Sequence, residues 1–180
     1  MTVTNGPGAV ALGGEDRASA VAAIKAQLRV ASGDEDALIA GYAEAALGVA
    51  EQFLAQVLIA REASVVLVEA GAAWQLLPVA PVSAITAVVA AGTALPIADY
   101  AVDVDAEARG WVRTARRASV TVRAGLASDW AGLPAAVRQG VVMLAAHLFE
   151  HRGGEASVPA AVTALWRPFR RLALTRAVHA

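Results

Sequence analysis

The apolar residues of this chain recur every three to four positions up to about residue 58, every second position from 62 to 125, and every three to four again beyond 134. No other feature constrains the fold as much. A helix buries a stripe with a period of 3.6 residues and a strand buries a face with a period of two, so a segment patterned for one does not suit the other. Six short candidate strands at close spacing leave no room for the crossovers that parallel pairing needs, so their pairing is antiparallel. The reading is α+β: a small helical bundle of about four helices with an antiparallel β insertion between the second and third.

The first helix is expected over Asp16 to Val30, with Val21, Ile24 and Leu28 inward. Ser32-Gly33-Asp34-Glu35 then reads as a capping box, Ser32 as N-cap and Glu35 three residues on. The second helix continues to about Leu58 on the stripe Leu38, Tyr42, Ala45, Val49, Phe53 and Val57, with Asp34, Glu35 and Asp36 at its positive dipole end. Strands are expected at Ser64–Glu69, Trp74–Leu77, Ala84–Val89, Tyr100–Val104, Gly110–Arg113 and Ser119–Arg123. In the last of these Val120 and Val122 point inward, Thr121 and Arg123 outward. Pro134 opens a third helix that runs to about His151 and carries no charge between Arg138 and Glu150. A helix apolar nearly all round is buried on several sides, which makes Val137, Val141, Val142 and Phe149 candidates for contact between subunits. A last helix begins near Pro159 with Val162, Leu165, Trp166 and Phe169 on one face, and Pro168 kinks or ends it. The chain thus divides into a flexible arm (1–15), one α+β domain (16–166) and a basic, apolar tail (167–180).

Composition narrows the function classes. Alanine fills 46 of the 180 positions and aromatics only 5%, so the domain can be helical and still have a thin core. With no cysteine there is neither a disulfide framework nor a thiolate metal site. The uncharged stretch Ala70–Ala98 has the length of a membrane span, but Pro78, Pro81, Pro96, Gly71 and Gly92 break it into strands and turns. Met1 to Gly14 lacks the basic and apolar regions of a signal peptide. No membrane partner is expected, and a soluble, cytoplasmic chain is the default. Acids dominate residues 1–108 and arginines residues 109–180. Such asymmetry suits a charged partner or complementary self-association, unless the fold interleaves the halves and cancels it.

Few constellations carry chemistry. His147-Leu148-Phe149-Glu150-His151 matches the H-x-x-E-H of inverted zinc peptidases, whose histidines share a helix face. A small zinc-dependent hydrolase is therefore one alternative, although Glu155, the only acid downstream, is too near to be the third ligand; a helix end with His151 facing the negative dipole is the plainer reading. Asp103-Val104-Asp105-Ala106-Glu107 starts like a calcium loop but has Ala108 and Thr114 where glycine and glutamate are required. Arg109, Arg113, Arg116, Arg117 and Arg123 crowd one hairpin, which makes a nucleic-acid-binding module a second alternative and the first four candidates for DNA contact. Only Trp111 interleaves with them, and an arginine-decorated edge also guards against sheet aggregation. In the tail, Trp166, Arg167, Phe169, Arg170, Arg171, Leu172 and Arg176 combine the residue types of binding hot spots. Because Pro168 interrupts the stripe, truncation after Ala164 is expected to leave a folded domain that has lost a partner. No catalytic, cofactor-binding or metal-binding residue is assigned.

The order of motifs resembles a known family, the head-tail connector (adaptor, or head-completion) proteins of long-tailed phages and phage-like gene transfer agents. Leu77-Pro78-Val79-Ala80-Pro81-Val82-Ser83-Ala84-Ile85 is similar to the family's "LP-x-x-PV-x-x-I" strand, Asp99-Tyr100-Ala101-Val102-Asp103 to its "DY-x-VD", and Val120-Thr121-Val122-Arg123-Ala124-Gly125 to its "V-x-Y-x-AG". Pro134-Ala135-Ala136-Val137-Arg138-Gln139 through Ala146-His147-Leu148-Phe149-Glu150-His151-Arg152 resembles its "PAAIRQA…AHLYENRE" helix, and Pro159 to Arg171 its closing "P-x-x-V-x-x-LL-x-PYR". Phe169 replaces the usual tyrosine, and the common "TGR" after the second helix is missing. The resemblance spans about Ser19 to Arg171. It implies a non-enzymatic structural virion protein that needs no cofactor: a ring, in the family a dodecamer, beneath the portal protein. Such a ring extends the channel for double-stranded DNA without reading its sequence and meets a tail-side stopper or terminator protein. It would be assembled in the bacterial cytoplasm and reside at the portal-tail junction, with the tail residues named above as candidates for the portal contact.

Overall fold

The computed structural model describes residues 1–152 and 157–171. In chain order they form β1 (Thr2–Thr4), α1 (Gly14–Leu28), α2 (Asp36–Leu54), β2 (Arg61–Val66), β3 (Gly71–Leu76), β4 (Val82–Ala90), β5 (Thr93–Ala94), β6 (Tyr100–Val104), β7 (Gly110–Thr114), β8 (Ser119–Ala124), α3 (Ala135–Glu150) and α4 (Ala160–Trp166). All strand pairs within the sheets are antiparallel. One sheet has five strands in the order β1-β2-β8-β4-β5, the other three in the order β3-β7-β6. Each of the six expected strands overlaps an observed one, although the first runs over Arg61–Val66 and not Ser64–Glu69, and β1 and β5 are short additions at the two edges of the larger sheet. Val120 and Val122 are buried and Arg123 is exposed, as their alternation requires.

The apolar side chains separate into two clusters. One lies among the four helices and the loop before α3, and includes Ile24, Ile39, Leu47, Leu54, Trp130, Val141, Leu144 and Trp166. The other lies within the β half and includes Val57, Val65, Leu67, Val82, Val88, Val112, Val120 and Val122. Between them the backbone is closely joined. Val57 donates to Ala80 and accepts from Leu126, and Ala60 donates to Ala127. A Cβ on Gly125 would stand 2.3 Å from the Ala60 Cα, so only glycine allows the two connections to cross.

Three local expectations are corrected. The buried face of α2 is Ile39, Ala40, Ala43, Ala46, Leu47, Ala50 and Leu54, while Leu38 is exposed and Tyr42, Val49 and Phe53 lie half-buried at its margins. Small alanines occupy the helix contacts because they let the axes approach, and the large side chains sit where there is room. The helix also stops at Leu54 and not near Leu58. Ala55 turns left-handed at φ 55, and the backbone of residues 57 and 58 is taken up by bonds to the β half. Finally, Ser32 and Glu35 form no capping box. The Ser32 hydroxyl donates to Asp34 at 2.6 Å, and Glu35 pairs with Arg152 beyond α3 at 2.8 Å. The helix begins later than the box requires: Glu35 is itself the N-cap residue of α2, and no side chain caps the first turn.

The arm is not a free appendage over its whole length. Thr2–Thr4 pair with Ser64–Val66 of β2, and the segment behind them is gripped by an ion pair with no exposed carboxylate. Glu51, 0% exposed, accepts hydrogen bonds from the amides of Gly8 (2.8 Å) and Leu58 (2.9 Å) and two from Arg61 (2.8 and 2.6 Å). The same guanidinium donates to the carbonyls of Asn5 and Gly6. Helix α2, strand β2 and the arm meet at this pair.

Candidate functional site

The structure disperses the residues that the sequence nominated. Val137 and Val141 are 0% exposed, Val142 5% and Phe149 8%, all within the chain's own helical cluster. They are corrected from subunit contacts to core. The near-continuous apolarity of α3 is satisfied internally because α1, α2 and α4 all pack on it. Trp166 is likewise corrected from a partner anchor to core: it is 0% exposed, its ring centroid lies 5.9 Å from that of Phe53, and its indole N–H donates to the Val137 carbonyl at 3.1 Å. Glycine at 140 makes the space, since a Cβ there would stand 2.2 Å from the indole nitrogen.

Beyond Trp166 the chain makes a short 3₁₀ turn, Arg167–Phe169, and then crosses the joint between the two halves. The Gln56 amide donates to the Phe169 carbonyl at 2.9 Å, and the Arg171 amide to the Leu54 carbonyl at 3.0 Å. The Arg171 guanidinium donates to the Glu107 carbonyl. Arg170 lies 5.5 Å over the Phe53 ring, and Arg167 is exposed. Leu172 and Arg176 fall outside the described residues.

The H-x-x-E-H motif occupies the last turn of α3. The His147 and His151 ring centroids lie 4.2 Å apart with the rings tilted by 38°, and His151 Nδ1 lies 2.8 Å from the His147 carbonyl, a bond within the helix end. Among the described residues no group of three histidine, aspartate or glutamate side chains is arranged to hold a metal ion.

The arginines of the β half fall into two sets. Arg109 is held by Asp105 at 2.7 Å and Glu107 at 3.1 Å. Arg113 lies on β7, 5.3 Å over the Trp74 ring, and Arg116 and Arg117 are exposed in the β7–β8 turn. None of Arg113, Arg116, Arg117 or Arg123 is in an ion pair among the described residues. Trp74, which the sequence offered only as a strand residue, is thus the second aromatic beside these arginines; the missed signal was its place across from Arg113. The charge asymmetry along the sequence is bridged at one point among the described residues, where Arg152 just beyond α3 pairs with Glu35 just before α2 at 2.8 Å.

Asp105 organises the β6–β7 turn. Its carboxylate accepts from the amides of Glu107 and Arg109, the Arg109 guanidinium, and the Trp111 indole at 2.8 Å. Partial desolvation alone would raise its pKa, but the bonds from Trp111 and Arg109, with the guanidinium charge, more than offset this and lower it to about 2. A carboxylate whose pKa is depressed on folding stabilises the fold at every pH above its ordinary value and ceases to as pH falls through the lowered one. The melting temperatures of the wild type and Asp105→Ala should therefore differ by a constant amount at neutral pH and converge between about pH 4 and pH 2. A difference that does not depend on pH would show that the carboxylate is not the group at work.

No described helix is long and apolar enough to cross a membrane. No protein-family model matches the chain, and no curated protein matches it. Solved structures do. A chain from the neck of an empty GTA particle, computed with C6 symmetry, is 27% identical with a TM-score of 0.76, covering 98% of this chain and 98% of that one. A chain from the neck of a native GTA particle, computed with C12 symmetry, gives 26% identity and a TM-score of 0.74 at the same coverage. A chain from the virion of a native gene transfer agent (GTA) particle gives 26% and 0.73, again over 98% of both. From end to end, helices and both sheets together, this chain has the fold of proteins found in the neck and virion of gene transfer agent particles.

Proposed function

We propose that this chain is a structural protein of a phage-like particle, the head-tail connector of its neck. Copies form a ring of twelve beneath the portal protein, extend the channel through which double-stranded DNA passes, and present a surface to the tail-side completion protein. Its work is mechanical and not catalytic. The observation that carries the reading is the likeness over 98% of both chains to a protein of a GTA neck, at 27% identity. That the related necks were computed with six-fold and twelve-fold symmetry agrees with twelve copies, since a twelve-fold ring also satisfies the six-fold operator. Of the tail candidates for the portal contact, Arg167 and Arg170 remain exposed in the described residues and keep that role in this reading. Exposed Arg116 and Arg117 remain candidates for the DNA channel.

Electron cryomicroscopy of particles from the producing cells tests the proposal. Density for this fold should appear as a twelve-membered ring between portal and tail, and cells lacking the gene should accumulate filled or empty heads without tails. Tailed particles at normal yield without the chain would overturn it.

A further inference from the structure

We infer that the three-stranded sheet is the joint between neighbouring copies of this chain, with the β3 edge of one copy seated against the β6 edge of the next. The inference rests on the ring reading above and says which surfaces close that ring. A cyclic ring needs a heterologous contact, in which two different patches on each subunit complement one another; a single self-complementary patch would stop at a dimer.

Three observations place those patches on opposite edges of β3-β7-β6. Large apolar side chains are exposed on both. Trp74 is 44% and Leu76 42% exposed on β3, while Val102 is 39% and Val104 37% exposed on β6, with Ile97 at 84% just before it. The edges also differ in charge. Beside β3, Arg113 lies over Trp74, whereas Asp103 sits on β6 and Asp99 immediately before it; none of the three is in an ion pair among the described residues. Lastly, the sheet's two outer strands have no strand partner on their free sides among the described residues. The edge strands of the five-stranded sheet, by contrast, are only three and two residues long, a length that discourages pairing. Across β7 the two patches lie on different faces: Leu76 stands opposite Trp111, while Val102 and Val104 stand opposite the buried Val112 and Gly110, which hold that face in place. The two edges are thus held as a rigid pair: one is aromatic, with the guanidinium of Arg113 reaching over Trp74 from the central strand, and the other is acidic and aliphatic. The α3 residues that the sequence suggested for subunit contact are buried and unable to compete for this role.

The chain has no cysteine, so introduced ones report on contact directly. In assembled particles carrying the double variant Leu76→Cys/Val102→Cys, a bis-maleimide should give a ladder of cross-linked species extending beyond the dimer, and neither single variant should give one. Arg113→Asp should lower the yield of tailed particles about tenfold or more and Asp103→Arg the same, while the two single variants produced together should recover most of it, because only across the joint does each then meet its complement. All of these positions are exposed, so each purified variant should melt as the wild type does. A ring visible at the neck together with no ladder and no recovery overturns this joint while leaving the ring in place. A chain that is absent from the neck, or present without ring symmetry, overturns the ring reading and this joint with it.

Discussion

Replacing Trp166 with alanine should destabilise the protein by about 3–5 kcal/mol, the range for removing a buried tryptophan or phenylalanine side chain. Trp166 is 0% exposed in the helical cluster, and α4, the helix that carries it, spans only Ala160–Trp166. A helix that short has no stability of its own and is held by its contacts. Losing the indole empties the space over Gly140 and against Phe53, and α3 and α2 cannot close it without breaking their own packing. Trp166→Phe should cost less, because it keeps a ring in the space and loses mainly the bond to Val137. Truncation after Ala164 should be as damaging as the alanine variant or more so. It removes Trp166 and also strips the Gln56 amide of its bond to Phe169 and the Leu54 carbonyl of its bond to Arg171. Urea unfolding followed by far-ultraviolet circular dichroism measures all three. A truncated chain with the wild-type midpoint would show that the last helix contributes nothing to the core.

The second large effect is expected at the buried ion pair. Arg61→Ala leaves the Glu51 carboxylate fully enclosed, with only the amides of Gly8 and Leu58 as partners, and breaking a buried pair in this way costs about 3–5 kcal/mol. Glu51→Ala removes the charge that holds Arg61 and frees two amides, and should cost a similar amount. The double variant Glu51→Leu/Arg61→Leu should cost clearly less than the sum of the two single changes, because no unpaired charge is left behind. A double-mutant cycle on unfolding free energies gives the coupling directly. Strictly additive costs would mean that the two side chains act independently, against the 2.6 Å contact between them. The single variants should also release residues 2–8 from the domain, which amide hydrogen exchange at Val3 and Gly8 would register.

Much of this architecture could be read from the sequence, and the reason is physical. Side-chain period is a local property of the backbone, so the six strands and the start of α3 after Pro134 were legible from spacing and turn chemistry alone. The alternation Val120, Thr121, Val122, Arg123 fixed which way β8 faces before any partner was known. Ordered motifs such as Leu77 to Ile85 and Ala146 to Arg152 pointed to gene transfer agent and phage proteins, and the structural likeness lies in the same direction. Glu51 gave no such signal. One acid on an alanine-rich helix looks like any exposed acid until β2 brings Arg61 beneath it.

What only the tertiary structure decided was the destination of side chains that suit either a core or an interface. Trp166, Val141 and Phe149 carry the same apolar surface whether they face a partner or their own chain. Their burial depends on α4 packing across α3, a contact between residues such as Val137 and Trp166 that lie far apart in sequence. In the same way, the alanines of α2 were anonymous in the pattern and became the contact face because helices that pack closely leave room only for small side chains. The sequence by itself determined the order and kind of the elements, since those follow from local periodicity. Which surfaces stayed free for a neighbour depended on how those elements closed on one another: the helical stripes were consumed inside the chain, and the edges of the three-stranded sheet were left exposed.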